Sequence, residues 1–171
     1  IEIKLSQGAK AGLGGIVPSS KVTPEIAAIR GIEAGKACLS PARHQAFSDS
    51  DSLLDFVEQL AAESGLPVGI KSAVGQMDFW EELVTHMARG NRGVDFIAID
   101  GGEGGTGAAP LVFSDHVSLP FRFGFQRVHG LFDEAGLSDQ LTFIGSGKLG
   151  FPEMAFYGFA LGCDLIALAR E

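Results

Sequence analysis

The stretch Asp95-Phe96-Ile97-Ala98-Ile99-Asp100-Gly101-Gly102-Glu103-Gly104-Gly105-Thr106-Gly107-Ala108-Ala109-Pro110 decides the fold. The apolar run Phe96 to Ile99 reads as a buried strand and gives way at once to a loop with five glycines. Glycine loses more chain entropy on folding than any other residue, so such a run implies a need for bare backbone. Close approach by a ligand, with backbone N–H groups forming an anion-binding concavity, meets that need. In α/β proteins ligands sit at the C-terminal ends of strands, where this loop falls. The competing reading is a flexible surface loop.

Working outward, Ile1 to Leu5 shows strand-like alternation and short apolar runs recur. Ile1 to Leu5, Val68 to Val74, Leu141 to Ile144 and Leu165 to Leu168 read as further strands. Thr23 and Pro24 open a short helix ending near Gly31, which carries Ile26 and Ile29 inward. Residues 31–49 read as irregular. A helix from Ser50 buries Leu53, Leu54, Val57, Leu60 and Ala61 and stops at Gly65. Helices are also expected over Asp78 to Arg89, Phe121 to Ala135 and Pro152 to Leu161. Strand and helix alternate, so the fold class is α/β with parallel βα repeats. Five strands make either an open doubly wound sheet or part of an eightfold barrel whose other strands lie elsewhere. The chain begins at Ile1 and stops at Glu171, both beside core strands. Residues 1–171 are therefore expected to be a single segment of a longer barrel, cut at both ends.

Composition narrows the function. The 171 residues are 46% hydrophobic and include 24 glycines, and the formal net charge is −8. Mean hydropathy is +0.22. The chain is globular, and its acidity argues against a nucleic-acid surface. Cys38 and Cys163 are too few for a disulfide framework or a metal site and suit a reducing, cytoplasmic setting. No run reaches transmembrane length. His44, His86, His116 and His129 have no metal spacing. No nucleophile elbow or Walker-type phosphate loop is present.

Gly102 to Gly107 and Gly145 to Gly150 each fit G-x-G-x-x-G. The second has a strand before it and a helix after it, the arrangement that binds phosphate at a helix N-terminus; a tight structural turn is the alternative. Lys71 stands alone in an apolar strand and is read either as a cation at the ligand mouth or as an edge-strand lysine that blunts pairing. Gln76 adds an amide at the same mouth. Asp100 either orients a ligand or caps the glycine loop.

The strings Gln7-Gly8-Ala9-Lys10-x-Gly12-x-Gly14-Gly15 and Lys21-Val22-Thr23-Pro24-Glu25-Ile26-Ala27, the Lys71 strand, Gly101 to Pro110, and the Gly145 turn followed by Gly158 to Arg170 resemble the flavin domain of glutamate synthase. The similarity runs along nearly the whole chain. It implies a partial (β/α)8 TIM barrel carrying FMN. By matching positions, Ser146 and Gly147 would hold the FMN phosphate, with Ala169 and Arg170 closing over it. Asp100, Gly101, Gly102, Gly104, Gly105 and Thr106 would pass close to the flavin. Lys71 and Gln76 would serve catalysis, facing the flavin and the carboxylates of 2-oxoglutarate. The implied reaction is the reductive amination of 2-oxoglutarate to glutamate by a flavin oxidoreductase acting on CH–NH2 donors.

The chain departs from the family pattern at Leu13, where glutamate synthases often carry Glu, and at Ser146, where the family has a glycine. The family's iron–sulfur cysteines are absent from this chain. Expected partners are a small anionic substrate, with no nucleic acid and no membrane span, and room is left for a homo-oligomer. Two other classes stay open: a nicotinamide-dependent Rossmann dehydrogenase, and a flavin-free, non-catalytic fragment whose exposed strand edges self-associate.

Overall fold

Ile3, Ile70, Ile97 and Phe143 stand side by side across four parallel strands, each 4% exposed or less. This row sets the architecture. A computed structural model describes residues 1–105, 109–114 and 116–169. The strands are β1 (Glu2–Lys4), β2 (Ile16–Val17), β3 (Cys38–Leu39), β4 (Gly69–Ser72), β5 (Phe96–Asp100), β6 (Thr142–Ser146) and β7 (Leu165–Ala167). The helices are α1 (Pro24–Arg30), α2 (Ser50–Ser64), α3 (Asp78–Met87), α4 (Phe121–Glu134) and α5 (Pro152–Ala160).

The residues fall into two compact units, Gly12–His44 and the remainder. In the larger unit the strands pair in the order β1-β4-β5-β6-β7, all parallel. The order follows the chain and never reverses. A doubly wound sheet reverses at its switch point. Here every crossover steps the same way, so right-handed connections put the helices of this unit on one face. Packing agrees: α2 (Leu53, Leu54, Val57), α3 (Trp80, Leu83, Met87) and α4 (Phe125, Val128, Phe132) share one core with Ile3, Ile70, Ile97, Ile99 and Phe143. The α/β fold is that of a partial parallel βα barrel, five strands wound singly.

The helix positions follow from local chemistry. Asp49 caps α2, accepting from the Ser52 N–H at 2.8 Å while Ser52 Oγ accepts from the Asp49 N–H at 3.2 Å. Gly65 ends the helix in the left-handed region at φ 67°. Arg92 pairs with Asp51 and Asp55 of α2. In α3 Leu83 and Trp80 are buried, Trp80 at 2% exposure; Phe79 is half-buried. The Phe143 ring meets Phe125, His129 and Phe132 at centroid distances of 5.9, 4.9 and 5.8 Å, so His129 is a packing residue.

The smaller unit pairs β2 with β3 antiparallel. Two-residue strands are too short to show alternation, which is why residues 31–49 read as irregular. Thr23 caps α1 by accepting from the Ile26 N–H at 3.2 Å. Ile29 is 74% exposed, against the sequence expectation; Ala27 is buried and Ile26 half-buried. Residues two apart on a helix point about 200° apart, so burying Ala27 turns Ile29 to solvent.

Past β1 a 3-10 turn, Gly8–Lys10, lies against the loop after β5. A Cβ at Gly8 would sit 1.6 Å from the Gly101 carbonyl oxygen. We predict that Gly8→Ala destabilises the fold by about 2–4 kcal/mol in urea unfolding, since two backbones would have to part. Acid should also weaken the fold. The Ser52 hydroxyl bond holds Asp49, and the Arg92 bond holds Asp51, below the usual 3.8. Groups lowered in this way stabilise the fold fully above the unfolded value and lose that contribution as pH falls through the folded one. Unfolding midpoints should therefore decline below about pH 3.8, and less steeply in an Asp49→Asn/Asp51→Asn variant.

Candidate functional site

The face of the sheet opposite the helices carries the candidate residues. One row holds Lys4, Lys71, Ala98, Ile144 and Leu165, and the next row toward the C-terminal strand ends holds Asp100, Ser146 and Ala167. The loops after β1, β5 and β6 meet above the second row. Asp100, 2% exposed, is their junction. Its Oδ2 accepts from the Gly8 N–H at 2.8 Å and its Oδ1 from the Ser146 hydroxyl at 2.8 Å. The Ser118 hydroxyl donates to the Gly8 carbonyl. The Ala9 N–H donates to the Gly104 carbonyl at 3.0 Å, and the Gly101 N–H to the Ser146 carbonyl at 2.9 Å. Gln7 Nε2 donates to the Gly105 carbonyl at 3.2 Å.

The glycines of the β5 loop are packed from within. A Cβ at Gly101 would lie 2.5 Å from the Glu103 carboxylate, at Gly102 2.7 Å from the Ser118 carbonyl oxygen, and at Gly104 2.4 Å from Asp100 Oδ1. Glu103 folds back onto the start of α4, where the Phe121 N–H donates to both carboxylate oxygens at 3.0 and 2.9 Å. A carboxylate there also complements the positive end of the helix.

The β6 turn differs. Among the described residues, the N–H groups of Gly147, Lys148, Leu149 and Gly150 donate to no backbone or side-chain acceptor. Gly147 has φ 130° and Lys148 φ 50°, a conformation non-glycine residues seldom adopt without a compensating contact. Four consecutive unpaired donors running into the N-terminus of α5 suit an anion.

Asp100, Gly101, Gly102, Gly104, Gly105, Ser146 and Gly147 thus come together, with the Gly147 Cβ position 3.3 Å from the Gly101 nitrogen. Lys71 lies one row deeper, half-buried beside Lys4 and Ala98, with no hydrogen bond or ion pair to its side chain among the described residues. Gln76 is exposed beyond the end of β4 and makes no side-chain bond among the described residues. Ala169 is exposed two residues past β7. Thr106 and Arg170 lie outside the described residues. Sequence reasoning did not single out Ser118 or Lys4. For Lys4 the signal was present, since Ile3 and Leu5 flank it in strict alternation; nothing marked Ser118.

Other chemistries find little support. No three His, Cys, Asp or Glu side chains gather around a metal-sized site among the described residues. Burial, then the nearby Asp164, pushes the Cys163 thiol up to about 12, which leaves it unreactive as a nucleophile. No helix among the described residues is long and apolar enough to cross a membrane.

Comparison with known proteins bears on the same residues. The family model described as the conserved region in glutamate synthase matches residues 1–171. The glutamate synthase large subunit-like protein YerD of Bacillus subtilis is 43% identical over 169 residues, covering 99% of this chain and 32% of that protein. The archaeal glutamate synthase [NADPH] of Methanocaldococcus jannaschii is 38% identical over 168 residues, 97% of this chain and 32% of its own length. The ferredoxin-dependent glutamate synthase of Pyropia yezoensis is 34% identical over 152 residues, 87% of this chain and 10% of its own. The chain therefore spans about a third of the first two relatives. On the match along all its residues, this chain belongs to the glutamate synthase family.

Proposed function

We propose that this chain is the flavin-holding arc of a glutamate synthase-type oxidoreductase, a segment of a longer protein whose remaining strands complete a (β/α)8 barrel. The observation that carries the reading is the run of unpaired N–H groups from Gly147 to Gly150, next to the loop network at Asp100. An FMN phosphate fits it chemically: a dianion needs donors, and these have no acceptor among the described residues. The singly wound sheet supports a barrel over a Rossmann dehydrogenase, because no switch point exists for a dinucleotide.

In this reading the Gly147–Gly150 amides hold the phosphate, and Ala169 and Arg170 border it. Gly101, Gly102, Gly104, Gly105 and Thr106 form the wall past which the flavin lies. When bound, FMN supplies hydride transfer. The substrate reaction is the condensation of ammonia with 2-oxoglutarate, with loss of water, and reduction of the imine to glutamate. Lys71 makes no ion pair among the described residues, and its charge can attract the substrate carboxylates and steady negative charge developing in the site. Gln76 offers an amide to the same substrate. The iron–sulfur centre of the family has no ligand set among the described residues and is assigned to other parts of such proteins.

The first test is the absorbance of the protein carrying this chain between about 300 and 550 nm after FMN addition and desalting. A retained flavin band is expected, and Ser146→Asp should abolish it by weakening binding about 100-fold or more, since like charges repel in a poorly solvated site. Absence of the band in the unmodified protein would overturn the reading. Lys71→Met should retain the flavin band but lower kcat/KM for 2-oxoglutarate about 100-fold, the usual scale for removing one preorganised electrostatic contact.

A further inference from the structure

Asp100 is a buried carboxylate with no ion pair among the described residues, satisfied by the backbone amide of Gly8 after β1 and the hydroxyl of Ser146 at the end of β6. Its bond to Ser146 fixes a direction. The carboxylate accepts, so the Ser146 proton points at Asp100 and the lone pairs of Oγ face away. We propose that Asp100 is a positioning residue that latches the β1 loop to the β6 turn and withholds the Ser146 proton from the anion site. The part concerning the anion rests on the FMN reading above; the latch does not.

Two consequences follow for ligand selection. The anion is held by the backbone donors of Gly147 to Gly150, and the serine contributes an acceptor edge that disfavours close approach of a further phosphate oxygen. The β1 loop, carrying Gln7 to Lys10, is held to the same carboxylate, so its position at the mouth depends on the side chain at residue 100. Ser118 supports the latch from the other side by donating to the Gly8 carbonyl. This leaves Gly8 fixed through both of its backbone polar groups.

The isosteric variant Asp100→Asn separates the roles. Its amide oxygen can accept from the Gly8 N–H, and its NH2 must then donate to Ser146 Oγ, because no other orientation satisfies both. The Ser146 proton is released toward the anion. In the protein carrying this chain, Asp100→Asn should bind FMN about tenfold more tightly, the scale of one hydrogen bond to a charged group. Adding Ser146→Ala should erase that gain, whereas Ser146→Ala alone should change affinity by less than about threefold. Hydrogen exchange of the Gly8 amide, read without flavin, should stay slow in Asp100→Asn and quicken about tenfold or more in Asp100→Ala. A tenfold loss of FMN affinity in Ser146→Ala alone, or no gain in Asp100→Asn, would overturn the withheld proton. Equal Gly8 exchange in Asp100→Ala and the unmodified protein would overturn the latch. If no variant and not the unmodified protein takes up FMN, the functional reading and the withheld proton fail together, and the Gly8 exchange still decides the latch.

Discussion

A buried carboxylate cannot be left without donors, and Asp100 is buried at the end of the central strand. Transferring such a group from water without hydrogen bonds costs several kcal/mol or more. The chain answers with the Gly8 amide and the Ser146 hydroxyl, brought in from the strands on either side of β4 and β5. Satisfying one group thus ties together three segments far apart in sequence. Gly8 has to be glycine because its backbone lies on that of Gly101. Gly104 has to be glycine because a side chain there would strike the Asp100 carboxylate. The glycine density that looks like preparation for a ligand is in large part preparation for this internal junction.

The sheet has two unlike faces for a simple topological reason. Strands added in one direction through right-handed crossovers collect every helix on one side. That side is dry, with Ile70, Ile97 and Phe143 fully or nearly fully buried. The other side keeps Lys4 and Lys71 adjacent in register, with Leu165 54% exposed at the edge. Adjacent like charges in a sheet are mildly destabilising, so their retention on the face away from the core fits a surface that meets an anion. The strand period of two therefore separates core-building residues from ligand-facing ones within the same few residues of β4.

Much of this was legible in the sequence. Short apolar runs, with alternation at Ile1 to Leu5, placed all five strands of the sheet, and the Thr23-Pro24 and Gly65 signals located helix ends. The face of α1 was misjudged because seven residues give too little periodicity to choose between Ala27 and Ile29. The β2–β3 ribbon was missed because its two-residue strands carry no pattern. At the site, Asp100, Ser146 and the glycines were visible as a cluster of unusual residues. Their bonding was not, since a hydrogen bond between residues 46 apart, or between Gly8 and Ser118, leaves no mark in local sequence.

This division has a consequence for how the site is to be probed. Substituting Gly8, Gly101, Gly102 or Gly104 breaks contacts internal to the protein, so a loss of activity there reports on folding as readily as on binding. The same holds for Glu103, whose carboxylate caps α4. Lys71 and Gln76 stand apart: neither side chain bonds to another described residue, so replacing either removes no polar contact seen among them. The amides of Gly147 to Gly150, unpaired among the described residues, outlast every side-chain change short of proline, which would also fix the backbone, so they are best probed by crowding or charge from Ser146. Chemistry assigned to this surface therefore stands or falls on the residues the fold does not need.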